Sequence, residues 1–162
     1  MALNVDYYFA PNSPWTYLGH QRFAEIAKAA GATIKVLPVD LGGKVFPVSG
    51  GLPLSKRAPQ RQAYRLTELK RFSDFLGQPI VLQPKYFPVN ADDAAKLIIA
   101  VDMHDGSDAA MRIAGRILRG VWVDERNIAD TRDLAKMLEE EGMTSRRLDD
   151  SMSQAEHVRY EQ

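Results

Sequence analysis

One hydroxyl stands where this chain could handle an anion. In Pro11-Asn12-Ser13-Pro14 a cluster of turn formers meets the start of a predicted helix, with serine at the boundary and proline at the first helical position. The first turn of a helix carries backbone N–H groups without intrahelical partners and a partial positive charge, so it attracts anions. A serine there has two readings. It can cap the helix by accepting one of those N–H groups, or it can turn its own proton towards a bound anion. The dipeptide alone favours the cap, because capping serines are common. No histidine lies near Ser13 in sequence to act as its base, which argues against a nucleophilic serine.

Other chemistries are excluded more firmly. The chain has no cysteine, which removes disulfides, thiolate metal sites and protein dithiol redox chemistry. His20, His104 and His157 show no metal-ligand spacing, so no metal is expected. Gly43-Lys44-Val45 lacks the glycine spacing and the Ser/Thr after lysine that a phosphate loop needs. Twenty-one Lys and Arg balance twenty-one Asp and Glu, which leaves no broad basic footprint for nucleic acid. The apolar run Leu97–Val101 is far too short to span a bilayer, and the first residues lack a basic region followed by an apolar core. A cytoplasmic protein without membrane or nucleic-acid partners is the expectation. With 162 residues, of which 45% are hydrophobic, it is long enough for one compact domain.

The elements that must position Ser13 follow from periodicity. Leu3, Val5, Tyr7 and Phe9 alternate with polar positions, a period of two that predicts a strand. From Trp15 to Ala30, Tyr17, Leu18, Phe23, Ile26, Ala27 and Ala30 recur at helical spacing, and Gly31 stops the helix. Thr33–Val39 is β-branched and reads as a second strand, so a parallel pair with a right-handed crossover is expected. Leu41–Pro59, rich in Gly and Pro, reads as a long irregular loop. Helices are predicted over Gln60–Leu76, from Asn90 or Asp92 to His104, over Asp108–Val123 and over Thr131–Glu141, with shorter helical pieces at Thr144–Asp150 and Ser153–Gln162. Ile80–Leu82 reads as a brief extended piece. Arg61, Arg65, Lys70 and Arg71, with Glu68 and Asp74 nearby, read as a solvated, salt-bridged face. Trp15 and Trp122 read as packing residues, Trp15 also as a wall beside Ser13.

The segment from Tyr7 to Gly19 resembles the opening of the thioredoxin-superfamily branch that holds DsbA-like proteins, kappa-class glutathione transferases and 2-hydroxychromene-2-carboxylate isomerases. Redox members begin the helix with Cys-Pro-x-Cys; here Ser13-Pro14-Trp15-Thr16 stand in those places. The likeness runs on through Pro38-Val39-Asp40-Leu41, Leu69-Lys70-Arg71-Phe72, Gly77-Gln78-Pro79 and Gln83-Pro84-Lys85-Tyr86-Phe87-Pro88-Val89-Asn90. It implies an α/β, thioredoxin-like fold with an inserted helical domain. Residues 1–41 would be the N-terminal β-α-β part of the core, 42–150 the loop and helical insertion, and 151–162 the start of the helix returning to the core.

The same resemblance implies glutathione as cofactor, with Ser13 stabilising its thiolate and Pro14 and Trp15 beside it. Glutathione has two carboxylates and a chromene acid one, so cations are wanted nearby. Lys44, Ser55, Lys56 and Arg57 lie where the family contacts substrate. Tyr86, Phe87 and Asn90 match the region that closes over it, where aromatic walls suit a planar compound. Core packing for Phe87 and a helix cap for Asn90 are the structural alternatives. The implied reaction is isomerisation of 2-hydroxychromene-2-carboxylate or a similar aromatic-catabolism intermediate, with kappa-type transfer as the alternative. Relatives of this branch carry a further strand entered through a cis-proline, then another strand and a final helix. This chain is therefore expected to be a shortened copy lacking the C-terminal half of the thioredoxin core. The other expectations are a chain completed as a homodimer through an open sheet edge, or a dimerising, non-catalytic binding module.

Overall fold

The computed structural model describes residues 3–153 and 159–160. The first strand, β1 (Leu3–Phe9), lies parallel to β2 (Ala32–Pro38) with Leu3 opposite Ala32 and Phe9 opposite Pro38. Between them runs α1 (Pro14–Ala29), so the expected strand-helix-strand unit is present. The alternation foreseen in β1 is real: Val5, Tyr7 and Phe9 turn inward, while Tyr8 is exposed. Phe9 and Val36, one from each strand, join the core, with Tyr7 and Ile34 packed against it. Among the described residues these two strands form the whole sheet, and the outer edge of β1 is unpaired.

Leu41–Pro59 is not the irregular loop expected. A π-helical turn at Leu41–Val45 runs into α2 (Phe46–Ser49), and a 3₁₀ turn follows at Leu54–Lys56. The cause is local capping: the Asp40 carboxylate accepts the Gly43 N–H at 2.7 Å, and its carbonyl accepts from Lys44 and Val45. Gly50, at φ 75°, supplies the left-handed residue that ends α2. Ile80–Leu82 forms no strand; Val81 N–H donates singly to the Trp122 carbonyl at 2.7 Å.

The helices fall within a residue or two of their expected ends: α3 (Pro59–Leu76), α4 (Asp92–Asp105), α5 (Ser107–Trp122), α6 (Thr131–Glu140) and α7 (Arg146–Ser151). Most of α4 is buried, and its Leu97, Ile98 and Val101 share a core with Ile113, Ile117 and Trp122 of α5. The outer face of α5 is laced to its neighbours, with Arg116 paired to Asp124 and Glu140, and Arg112 to Glu141. Of the closing helical piece, residues 154–158 and 161–162 lie outside the described residues. Arg159 and Tyr160 dock onto the core, Arg159 against Asp102 and the Val36 carbonyl and Tyr160 donating to Asp92 at 3.0 Å. Among the described residues no helix is long and apolar enough to cross a membrane.

Candidate functional site

Ser13 stands at the N-cap of α1 in extended conformation, φ −81° and ψ 128°, and its Oγ accepts the Thr16 N–H at 3.3 Å. The capping reading is thus correct as geometry, and it leaves the second reading intact. A hydroxyl that accepts one bond still has its proton to give.

The donors of the first turn can be followed one by one. Pro14 has none. Thr16 donates to Ser13 Oγ, and Tyr17 N–H to the Ser13 carbonyl at 3.0 Å. Trp15 N–H has no partner among the described residues. The start of α1 therefore presents two donors, the Ser13 O–H and the Trp15 N–H, at the positive end of a sixteen-residue helix. Such a pair of donors suits a small anion, and no group of metal-ligating side chains is found among the described residues.

The turn before α1 is tied to a distant segment. Asn12 Nδ2 donates to the Val89 carbonyl at 2.9 Å, which brings the stretch around Phe87 and Val89 beside Ser13. A cis peptide joins Phe87 to Pro88. Phe87 is half-buried, its ring centroid 4.7 Å from that of the fully buried Trp122. Core packing, the structural alternative for Phe87, accounts for much of its contact. Tyr86 is at the surface with the Lys85 ammonium 5.0 Å from its ring. Asn90 is exposed and spent on the entry to α4, its Oδ1 accepting the Asp92 N–H at 2.8 Å.

The expected cations divide. Lys44 is exposed on the π-helical turn, and Ser55 and Lys56 are exposed on the 3₁₀ turn; none makes a side-chain hydrogen bond or ion pair among the described residues. Arg57 is half-buried, with Nε donating to the Leu52 carbonyl at 2.8 Å and its guanidinium 6.0 Å from the Phe46 ring. Trp15 is half exposed and meets Phe72 of α3 edge-on at 5.6 Å. It walls a small cleft with Leu18, Arg22 and Phe75, alongside α1 rather than over its first turn.

Arg65 departs most from expectation. The spacing of α3 predicts a solvated basic face, which Lys70 occupies in an exposed pair with Asp74 at 2.9 Å. Arg65 instead is only 9% exposed, its guanidinium 5.4 Å from the Phe87 ring and 5.8 Å from that of Trp122. Burial, reinforced by repulsion from Arg57, pushes its pKa below the ordinary arginine value.

A second cluster also escaped the sequence. His20, on the inner side of α1, is buried, with Nε2 2.9 Å from the Met111 carbonyl and Nδ1 3.0 Å from the Tyr7 hydroxyl. A carbonyl only accepts, so Nε2 carries the proton and Tyr7 donates to Nδ1. The arrangement joins α1, β1 and α5. Nearby, a groove of about 1120 Å³ between α1 and α5 is lined by Tyr17, Gln21, Arg112 and Arg116, among others, but does not reach Ser13.

Comparisons with known proteins extend this picture. The model of the DSBA-like thioredoxin domain matches residues 4–161. A 2-hydroxychromene-2-carboxylate isomerase of Pseudomonas putida is 29% identical over 82 residues, a stretch that covers 51% of this chain and 40% of that relative. The matched stretch is thus less than half the curated relative's length. A solved structure of 2-hydroxychromene-2-carboxylate isomerase superposes with a TM-score of 0.78 at 23% identity, covering 98% of this chain and 76% of its own. The cytosolic disulfide reductase DsbM from Pseudomonas aeruginosa with GSH superposes with a TM-score of 0.69 at 20% identity, again covering 98% and 76%. At such identities these two structures share the fold with this chain.

Proposed function

The chain belongs to the DSBA-like thioredoxin domain family, and from that premise we propose that it binds glutathione at the start of α1 and serves a glutathione-dependent isomerase of 2-hydroxychromene-2-carboxylate or a related conjugated acid. The observation that carries this reading is the pair of free donors at Ser13 and Trp15, in a chain without cysteine. A family member without cysteine has no dithiol of its own, so a reactive sulfur has to come from a ligand. The similarity to the P. putida isomerase supports the choice of reaction.

When bound, glutathione would supply a thiolate that adds to a conjugated carbon and departs after rotation about the former double bond, so none is consumed. The chain's own residues would keep that sulfur ionised. A free thiol with a pKa of about 8.5 is mostly protonated at neutral pH. The helix terminus contributes about 0.3–1 kcal/mol towards an anion. A hydroxyl hydrogen bond to a charged acceptor adds about 1.5–3 kcal/mol. At about 1.4 kcal/mol per pKa unit, the two lower the thiol by roughly one to three units. Ser13 acts as a donor in this scheme, with Pro14 fixing the turn and Trp15 adding its amide. Lys44, Ser55, Lys56, Arg57, Tyr86 and Phe87 are the proposed surroundings of the acid; Asn90, committed to the start of α4, is a weaker member. A cytosolic location and a homodimer formed through the open outer edge of β1 belong to the same reading. Sedimentation across a concentration series tests the dimer.

The decisive test is the ionisation of bound glutathione, followed by thiolate absorbance in a pH titration. The wild-type chain should show a thiol pKa near neutrality, and Ser13→Ala should raise it by about one unit or more. An unchanged pKa removes Ser13 from the chemistry. Glutathione-dependent isomerisation of 2-hydroxychromene-2-carboxylate, against formation of a stable adduct with an electrophile, separates the isomerase from kappa-type transfer.

A further inference from the structure

We infer that Arg65 is a carboxylate-binding residue of the site at the start of α1, a role for which its position on the sequence gave no sign. The inference rests on the glutathione reading for its ligands, and three observations carry it.

First, Arg65 is nine-tenths buried and has no acidic partner among the described residues. Three other part-buried arginines are matched by carboxylates, Arg116 by Asp124 and Glu140, Arg126 by Glu140 and Arg147 by Asp105 and Asp150, whereas Arg57 donates to the Leu52 carbonyl. Its side chain is held by stacking on Phe87 and Trp122 while its guanidinium nitrogens still reach solvent. A carboxylate arriving from solution would supply the missing partner through the guanidinium's two-pronged donor geometry.

Second, no carboxylate pairs with it among the described residues, although Glu68 lies three residues on along α3. The charged neighbour felt at Arg65 is another cation, Arg57, on the 3₁₀ turn just before α3. Two guanidinium groups whose charges oppose one another favour an anion near them.

Third, a chain of contacts connects Arg65 to the turn that carries Ser13. Its guanidinium lies over Phe87, and Phe87 is two residues, about 7 Å of extended chain, from Val89. The Val89 carbonyl takes the Asn12 amide, next to the capping serine. A ligand lying along that path would have its sulfur at Ser13 and a carboxylate directed towards Arg65. Arg65 also lies on the same helix as Phe72, which meets Trp15 of the first turn of α1.

The carboxylate has two possible sources, glutathione and the conjugated acid, and the experiment separates them. Binding of S-methylglutathione, which keeps both carboxylates but has no ionisable thiol, and of cinnamate, a conjugated acid without the peptide, is measured calorimetrically on the wild-type chain and on Arg65→Gln. A loss of tenfold or more for S-methylglutathione alone assigns Arg65 to glutathione, and the same loss for cinnamate alone assigns it to the acid. Both assignments support the inference. Unchanged affinity for both probes, or no binding of either to the wild-type chain, overturns the inference. Should Arg65→Gln fail to fold, Arg65→Lys keeps the charge and loses the planar fork; a several-fold loss of affinity supports the inference and unchanged affinity overturns it. Because S-methylglutathione carries no thiol, this result stands apart from the thiolate titration of Ser13→Ala.

Discussion

Asn12 and Val89, 77 residues apart, are joined by a 2.9 Å hydrogen bond from the side-chain amide to the backbone carbonyl. Among the described residues this is the side-chain hydrogen bond that ties the turn carrying Ser13 to the segment carrying Phe87. Asn12→Ala removes it and leaves a part-buried carbonyl without its donor. It should cost about 1–3 kcal/mol in urea unfolding. In the same variant, glutathione affinity should fall while the thiol pKa of whatever still binds stays near the wild-type value, because Ser13 and the helix start are untouched. An affinity equal to wild type would mean that Phe87 and its neighbours play no part in the site.

Ser13→Cys turns the anion-stabilising power of the first turn into a direct reading. The chain has no other thiol, so alkylation by iodoacetamide reports one group. The introduced sulfur would sit at the N-cap, close to the Trp15 and Thr16 amides. Its pKa should fall at least about one unit below the free value of ~8.5. A rate profile with the free thiol's midpoint would show that this helix end does not favour an anion, whatever glutathione does.

The Tyr7–His20–Met111 chain makes stability pH-dependent in a defined direction. Burial holds the His20 imidazole below its ordinary value, with the hydrogen bond to the Met111 carbonyl opposing that shift, and burial holds the Tyr7 phenol above its own. The native state thus keeps His20 neutral at pH values where the unfolded chain, with a histidine pKa of about 6.5, takes up a proton. Its contribution is complete above ~6.5 and is lost as pH falls through that value towards the lower, folded one. Melting temperature should therefore decline as pH is lowered from about 7.5 to 5.5, and the slope should flatten in His20→Gln. Tyr7→Phe should cost about 0.5–1.5 kcal/mol at neutral pH. An identical slope in the His20 variant would move the titration elsewhere.

How far the site could be read from the chain depended on the distance over which each signal acts. The strand, turn and helix around Ser13 are local, and period-two alternation followed by a Ser-Pro helix start located them to within a residue. The segment after β2 misled because its glycines and prolines conceal short helical turns, which the single carboxylate of Asp40 begins. Arg65 could not be found in this way. Arginine is normally a surface residue, and the basic spacing of α3 gave no sign that Phe87 and Trp122 would close over one member of the series. Likewise, nothing local joins Tyr7 to His20; their contact exists because α1 crosses back over the sheet.

The last expectation concerns which faces of the fold are closed. Ile26 and Ala27 both belong to the apolar spacing of α1, yet Ala27 is buried while Ile26 is 58% exposed. Ile117 of α5 is completely buried. Ile117→Ala leaves a cavity in the core shared with α4 and should cost about 2–5 kcal/mol in chemical unfolding. Ile26→Ala removes atoms already in water and should change stability by no more than about 0.5 kcal/mol. Measuring both at several protein concentrations sharpens the contrast. A loss above about 1 kcal/mol for Ile26→Ala that grows with concentration would mean that a second copy covers this side of α1 in solution, because only a surface buried by association makes stability depend on concentration.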